Sequence, residues 1–430
     1  MNLENSAVLA AETSAEKRRY MTRLTGFELK KILQKKIVWI TFAIFLVFQL
    51  FLTCGAYFIA SRYVDGKFLE TKADWFKTDR RNSEKLSGRK IDNTLLAEIE
   101  ESQKYIPEKD GERESYEYLS SGEYNNKVRP YEIISRLVQS MAGGIENEGK
   151  TSALVQEMLY SARHKKQEII YDDYKLSKAE KEYWREKEKE LPEVFTYKYG
   201  GVYENIIDMG GCYYICMFIT FFIAICITSI FTDEHIRRTD QLILCTKYGR
   251  WQSYAAKITA GSIVTICATL ILSGITLACF IGIYGTGSFT AMVQVVIAPL
   301  YPGNISAGKT AIIMVLLLFL SSVVLSIVTM VLSELLKSNT GTMAIVIAVA
   351  FLLARLAAIP ADFKFIGKIW HTIPINLLKA DEGFFDLRLW NVFGIKFTLW
   401  QMAFFAYIVI GIVFFFIGKR KYCKYQAGGR

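Results

Sequence analysis

Two stretches of the chain carry the spacing G-x-x-x-x-G-K-[ST], which wraps backbone N–H groups around a phosphate and aims a lysine at it. One runs from Gly144 to Thr151, the other from Gly303 to Thr310. The chemistry needs a buried strand leading into the loop, a helix leaving it, and a second apolar strand ending in Asp to hold magnesium. The first stretch instead follows a polar helical pattern. The second follows Pro299 and Pro302 and runs straight into an apolar segment. Both are read as chance matches, and no nucleotide hydrolysis is expected from this chain. Three histidines (His164, His235, His371) and eight cysteines show no metal-ligand spacing. No paired carboxylates lie in an apolar run, and no Ser/His/Asp arrangement occurs. No catalytic, cofactor-binding or metal-ligating residue is assigned.

What the chain has in abundance is apolar length. A bilayer crossing takes about 20 consecutive apolar residues. Five runs satisfy this: Ile37 to Ala60, Gly211 to Phe231, Ala256 to Tyr284, Thr310 to Leu332, and Thr398 to Gly418. A sixth, Gly341 to Ile359, is apolar apart from Arg355. The first is too long for a signal peptide and follows 36 mostly polar residues, so it should remain as an anchor. The expected fold is an all-α integral membrane protein with six transmembrane helices and a large, mainly helical extracellular domain between the first and second.

The charge distribution sets the orientation. With six spans, residues 1–36, 233–257, 333–340 and 419–430 share one side and hold 19 Lys+Arg against 8 Asp+Glu. Basic residues crowd the membrane there: Lys30, Lys31, Lys35 and Lys36 before the first span, Lys419, Arg420 and Lys421 after the last. The positive-inside rule makes this side cytoplasmic, and both termini with it. Such flanking cations meet lipid headgroups, and no nucleic-acid partner is expected. The block 61–210, with 26 Lys+Arg against 30 Asp+Glu, then faces outward. None of the eight cysteines falls in it, so a disulfide framework is excluded.

Residues 1–36 form a tail and an interfacial helix, with Met1 to Ala15 unpatterned. From Glu16 to Lys36 the pattern is helical. Tyr20, Met21, Leu24 and Phe27 form one face, and a bend is expected near Thr25–Gly26. The first span occupies 37–60 and the outer block 61–210. Within the block, Leu154, Val155, Met158, Leu159 and Ala162 form one apolar stripe, and Leu95, Leu96, Ile99 and Ile106 another. Lys175 to Glu190 alternates Lys and Glu as a solvated helix that Pro192 closes. Thirteen of the 24 tyrosines lie here, among them Tyr116, Tyr118, Tyr124, Tyr131, Tyr171 and Tyr174, and are expected mainly in its core. Residues 211–430 hold the remaining five spans, an inner segment at 233–257 and an aromatic-rich outer segment at 361–397.

The inner segment gathers charge at its start, places Leu242, Ile243 and Leu244 in the middle, and breaks at Tyr248–Gly249. The run from Phe231 to Lys257 resembles the coupling segment of the type-2 ATP-binding-cassette (ABC) permeases. Glu234 stands where their acidic residue leaves the second span, Leu242 to Leu244 form the short helix, and Thr246 to Arg250 read TKYGR. Lys257 opens the third span. Pro374 with Ile375 to Leu378 is similar to a proline-leucine stretch of the same family. The resemblance covers the membrane portion, about two-thirds of the chain. The block 61–210 departs from the family's smallest members.

The resemblance implies a permease subunit of an ATP-driven exporter for an amphipathic or hydrophobic cargo such as a peptide, lipid or drug. It implies pairing with a second copy or a paralogue. Separate cytoplasmic ABC ATPase subunits would bind the ATP and grip Asp233, Glu234, Arg237, Arg238, Asp240, Lys247 and Arg250. Arg355 sits four residues from the expected end of its span. It either snorkels to the headgroups or lines a dimer seam or pathway exit. The competing reading is a membrane-anchored sensor or immunity protein whose outer block binds a peptide or cell-wall component. A relay of that kind has no need of an inner helix shaped for an ATPase.

Overall fold

The computed structural model describes residues 19–59, 61–64, 66–106, 108–109, 112–113, 119–142, 155–208, 211–246, 249–356 and 359–424. The expectations for Met1 to Ala15, Gly144 to Thr151, Tyr116, Tyr118, Leu154 and Lys247 lie outside the described residues.

Five helices are long and apolar enough to cross a membrane: Lys36–Gly55, Cys212–Ile236, Trp251–Tyr284, Ala307–Leu336 and Leu399–Lys424. The second is the enclosed one. Of its apolar window 83% is buried, against 22% for the first and last, whose outer faces are left for lipid. The fourth packs against both the third and the last. The expected sixth span shortens to Asn339–Arg355, 17 residues. At 1.5 Å per residue it reaches only about 25 Å, against about 30 Å of hydrocarbon. It starts on a Ser338 cap and ends because Leu356 is extended. Arg355 is therefore its last residue and exposed, not a residue four positions inside a span.

Contacts sort the helix ends into two sets. At one end the start of the first span meets the end of the second, through Lys35 and Asp233. His235 and Glu334 join the ends of the second and fourth. Ser253 and Tyr422 join the start of the third to the end of the last. The opposite end carries the block 61–210, the loop after Tyr284 and the segment 361–397.

We label the N-terminal helix, residues 19–33, α1, and the first span's helix, Lys36–Ile59, α2. α1 runs unbroken past Thr25–Gly26. The expected bend comes instead at Gln34–Lys35. Its inward face is also different: Glu28 and Ile32 are buried, while Tyr20 and Phe27 are exposed.

The block is mainly helical, as expected, but opens on a hairpin that the sequence reading lacks, β1 (Ser61–Val64) with β2 (Lys67–Thr71). Its helices are α3 (Lys72–Leu86), α4 (Asn93–Gln103), α5 (Glu132–Met141), α6 (Gln156–Asp173), α7 (Lys178–Glu188) and α8 (Val202–Ile207). Side chains cap three of them: Thr71 on α3, Asp92 on α4, and a Ser177/Glu180 capping box on α7. Leu95, Leu96 and Ile99 are buried as the stripe predicts, and Tyr124 and Tyr171 lie in the core.

The α6 stripe needs correction. Of its described residues only Leu159 is buried, and the inward face continues as Arg163, Gln167 and Tyr171. Two of these polar residues serve the loop after the third span. Arg163 donates to the Pro299 carbonyl (2.9 Å) and Gln167 to that of Leu300 (3.1 Å).

α7 fastens the block to the segment 361–397. Its surface is as charged as the sequence suggests, yet Trp184 is buried and donates to the Leu387 carbonyl (2.6 Å). Glu180 accepts from the Leu389 amide (3.1 Å) and lies 3.3 Å from Lys368. Leu389 opens a hairpin, Leu389–Val392 with Ile395–Thr398. Burial by itself would raise the Glu180 carboxyl. The amides of Ser177 and Leu389, the Ser177 hydroxyl and the charge of Lys368 hold it below the ordinary glutamate value. A lowered carboxylate contributes stability above its unfolded value, which is lost as pH falls through the lower folded value. Amide protection of the hairpin in the full chain should therefore drop by about tenfold on acidification, as the loss of charged hydrogen bonds implies. In Glu180→Ala it should already be low at neutral pH. Hydrogen exchange corrected for intrinsic rates reads this, and unchanged protection in the variant would refute the joint.

The block's last residues meet the loop after the third span backbone to backbone. Gly201 and Gly287 have φ of +56° and +65°. A Cβ on Gly201 would lie 2.7 Å from Gly287 Cα, so neither position tolerates a side chain.

Candidate functional site

The inner segment is mostly the ends of two spans. The second span's helix (α9, Cys212–Ile236) continues past Phe231 through a π-turn at Ile223–Ile227, so Asp233, Glu234 and His235 belong to its last turn. A five-residue helix follows (α10, Asp240–Leu244). The third span's helix (α11, Trp251–Tyr284) starts before Ala256, which puts Lys257 nearly two turns inside it.

Lys257 is fully buried there, a position that demands a counter-charge. It has two. Its Nζ lies 3.0 Å from Glu28 Oε1 of α1 and also donates to Glu234 Oε1. Glu28 and Glu234 are each only 4% exposed, so both need the cation in turn. Lys31 completes the group, 2.9 Å from Glu234 and 3.7 Å from Glu28. Two carboxylates and two ammonium groups thus share one site. Burial would lower the Lys31 ammonium, but its hydrogen bond to Glu234, with the charges of Glu28 and Asp233, raises it overall. Lys35, one turn on, donates to Ser229 and Asp233, each at 2.6 Å. Beside Lys257 the rings of Phe231, Tyr254 and Tyr422 cluster with centroids 5.6–5.9 Å apart, Phe231 and Tyr422 edge to face and the other two pairs tilted.

Beside the quartet α1 and the segment 237–249 enclose a cleft of about 420 Å³, lined by Leu24, Phe27, Arg237, Thr239, Ile243 and Ser253. Arg237, Arg238 and Arg250 are exposed and have no carboxylate partner among the described residues. Arg238 takes a left-handed conformation (φ +56°) that ends the second span. Leu242 is 73% exposed.

Of the residues singled out by the sequence, Asp233 and Glu234 are turned into the protein, and the three arginines out. The side chain of Asp240 and all of Lys247 lie outside the described residues. Arg355 stands apart from the site, at the other end of its helix, with no ion pair among the described residues. The sequence reading missed Glu28, Lys31 and Lys35 as partners, and the His235–Glu334 contact of 2.9 Å. The spacing i, i+3, i+7 of Glu28, Lys31 and Lys35 on one helix face was the only signal for them.

The second phosphate-loop match gains no support. Ser306 caps the fourth span, Thr310 is buried within it, and Gly308 lies against Phe289. The helix is entered from a loop, with no strand leading into it.

A family model described as "ABC-2 family transporter protein" matches residues 76–374, well over half of the chain. The chain belongs to the ABC-2 transporter family. It is a transmembrane permease subunit without an ATPase domain. The match takes in most of the block 61–210, the quartet's Glu234 and Lys257, and four of the six apolar helices. No curated protein and no solved structure matches. ABC-2 permeases typically pair with ATPase subunits.

Proposed function

We propose that this ABC-2 permease exports an amphipathic or hydrophobic substrate. A separate ATPase would dock on the end of the molecule that carries α1 and residues 237–250. In this reading that end is cytoplasmic, the short helix Asn339–Arg355 completes a sixth crossing in the assembled transporter, and the block 61–210 lies outside. A second copy or a paralogue completes the pathway. The observation that carries the reading is the quartet. Glu234 ties α1, the second span and the third span together directly beneath the exposed arginines. A push on the segment 237–250 is therefore delivered to two spans and α1 at once, which two-state rocking of packed helices requires.

The test is purification of the full chain from native membranes in mild detergent, with the co-purifying proteins assayed for ATP hydrolysis. A bound ABC ATPase at near-stoichiometric yield is the expected result. If none is recovered under conditions that preserve another ABC complex, the docking reading fails and the sensor or immunity reading takes its place.

A further inference from the structure

At the other end of the molecule two cavities join. One, of about 590 Å³, lies between α3, α5 and α8; the other, of about 500 Å³, lies between α6, the loop 297–301 and the segment 380–387. They share Ser140, Ile297 and Pro299 as walls, so they form one groove under the block. Each half is the size of a small-molecule site, about 300–1,000 Å³.

The charges along the groove are unequal in their pairing. Arg80 is engaged by Glu84 (2.8 Å), Arg136 by Glu132, and Asp79 by Arg129 (2.8 Å). Glu204 lines the first cavity, while Asp208, just past the end of α8, and Asp381 line the second. None of these three carboxylates has a hydrogen-bond or ion-pair partner for its side chain among the described residues. Among the described residues that line the groove, Lys72 is the one cation without a carboxylate partner, and it lies at the α3 end over the Trp75 ring (4.1 Å). Aromatic faces accompany the carboxylates: Phe76, Tyr199 and Tyr284 in the first cavity, Tyr174, Tyr301 and Phe385 in the second. Among the described residues no group of acids is close enough to hold a metal ion. Unpaired carboxylates among aromatic rings suit a cation that brings its own apolar surface.

We propose that this groove binds a drug-sized organic cation with an apolar body, and that Glu204 is its principal counter-charge. The inference goes beyond the proposed pairing with an ATPase, because binding is read without turnover. Burial, and then the negative charge of Asp208, push the Glu204 carboxyl up to about 7. The groups facing it are Asp208 just past the end of its helix, Lys72, Asp79 and Arg80 on α3, Arg136 on α5, and the hydroxyls of Tyr197, Tyr199 and Tyr284. Ionisation of Glu204 as pH rises from 6 to 8 should strengthen cation binding.

The probe is tetraphenylphosphonium, whose charge does not titrate, with tetraphenylborate as its matched anion. Equilibrium binding is measured on the full chain in lipid nanodiscs, with empty nanodiscs subtracted. The expected result is saturable binding of the phosphonium that tightens several-fold between pH 6 and pH 8. Glu204→Gln should weaken it at least tenfold at pH 8, flatten the pH profile and leave the melting temperature unlowered. Lys72→Met should bind no more weakly than the unaltered chain. Absence of a saturable component overturns the proposal. So does unchanged affinity in Glu204→Gln, or preferential binding of the borate that Lys72→Met abolishes.

Discussion

Replacing Glu234 by glutamine is expected to destabilise this permease by about 3 kcal/mol or more, the cost typical of removing one partner from a buried ion pair. Lys257 has no exposure at all and cannot turn to water. Without Glu234 it keeps only Glu28, while Lys31 keeps a 3.7 Å contact in place of one at 2.9 Å. Of its ion pairs to the spans α1 then keeps only Glu28–Lys257, with Lys35 bonded to Ser229 and Asp233 just past its end. A thermal melt in detergent should show the loss, and protease sensitivity around residues 19–36 should rise with it. The triple variant E28Q/E234Q/K257M should recover most of the lost stability, since it removes the fully buried lysine together with both carboxylates and leaves only Lys31, which is part-exposed and can reach water. A single variant that melts with the parent would show that the quartet contributes nothing. A triple variant no better than the single would show that shape, not charge, is what the site requires.

The second large effect concerns the outward-facing arginines. R237E/R238E should reduce the co-purifying ATPase at least tenfold, because charges buried across an interface carry coupling energies of about 1.5–7 kcal/mol. The same change should leave the melting temperature of the isolated permease nearly unmoved, since exposed substitutions away from packing cost within about 0.5 kcal/mol. The two readouts separate docking from folding. Full ATPase recovery in R237E/R238E would remove the arginines from the interface. A large drop in melting temperature would mark them as structural. Arg250 is the useful third position, because it stands at the start of the third span on the same face of the molecule.

Hydropathy made the five long helices legible, since it needs only local composition. It overstated the sixth, because it counts apolar residues without knowing that the backbone turns extended at Leu356. The stripe Leu95, Leu96, Ile99 was legible for the same local reason. The stripe on α6 was not, because Arg163 and Gln167 face inward to serve carbonyls more than 130 positions away. The family segment at 231–257 could be recognised from its residues. Its inward half could not be interpreted, since one of the two partners of Lys257 is a glutamate 229 positions earlier, on a helix whose exposed Tyr20 and Phe27 suggest the opposite face. Ion pairing between distant helices leaves no period in a sequence.

The quartet also imposes an order on the making of the protein. Glu28 and Lys31 leave the ribosome with the first helix, whereas Glu234 and Lys257 follow 203 and 229 residues later, after the whole block 61–210 has been synthesised. α1 cannot take its final seat until the third span has entered the bilayer. Lys257 has its first carboxylate, Glu234, once the second and third spans lie together, and gains Glu28 only when α1 seats. The second and third spans are thereby committed to assemble as a pair, with α1 closing over them last.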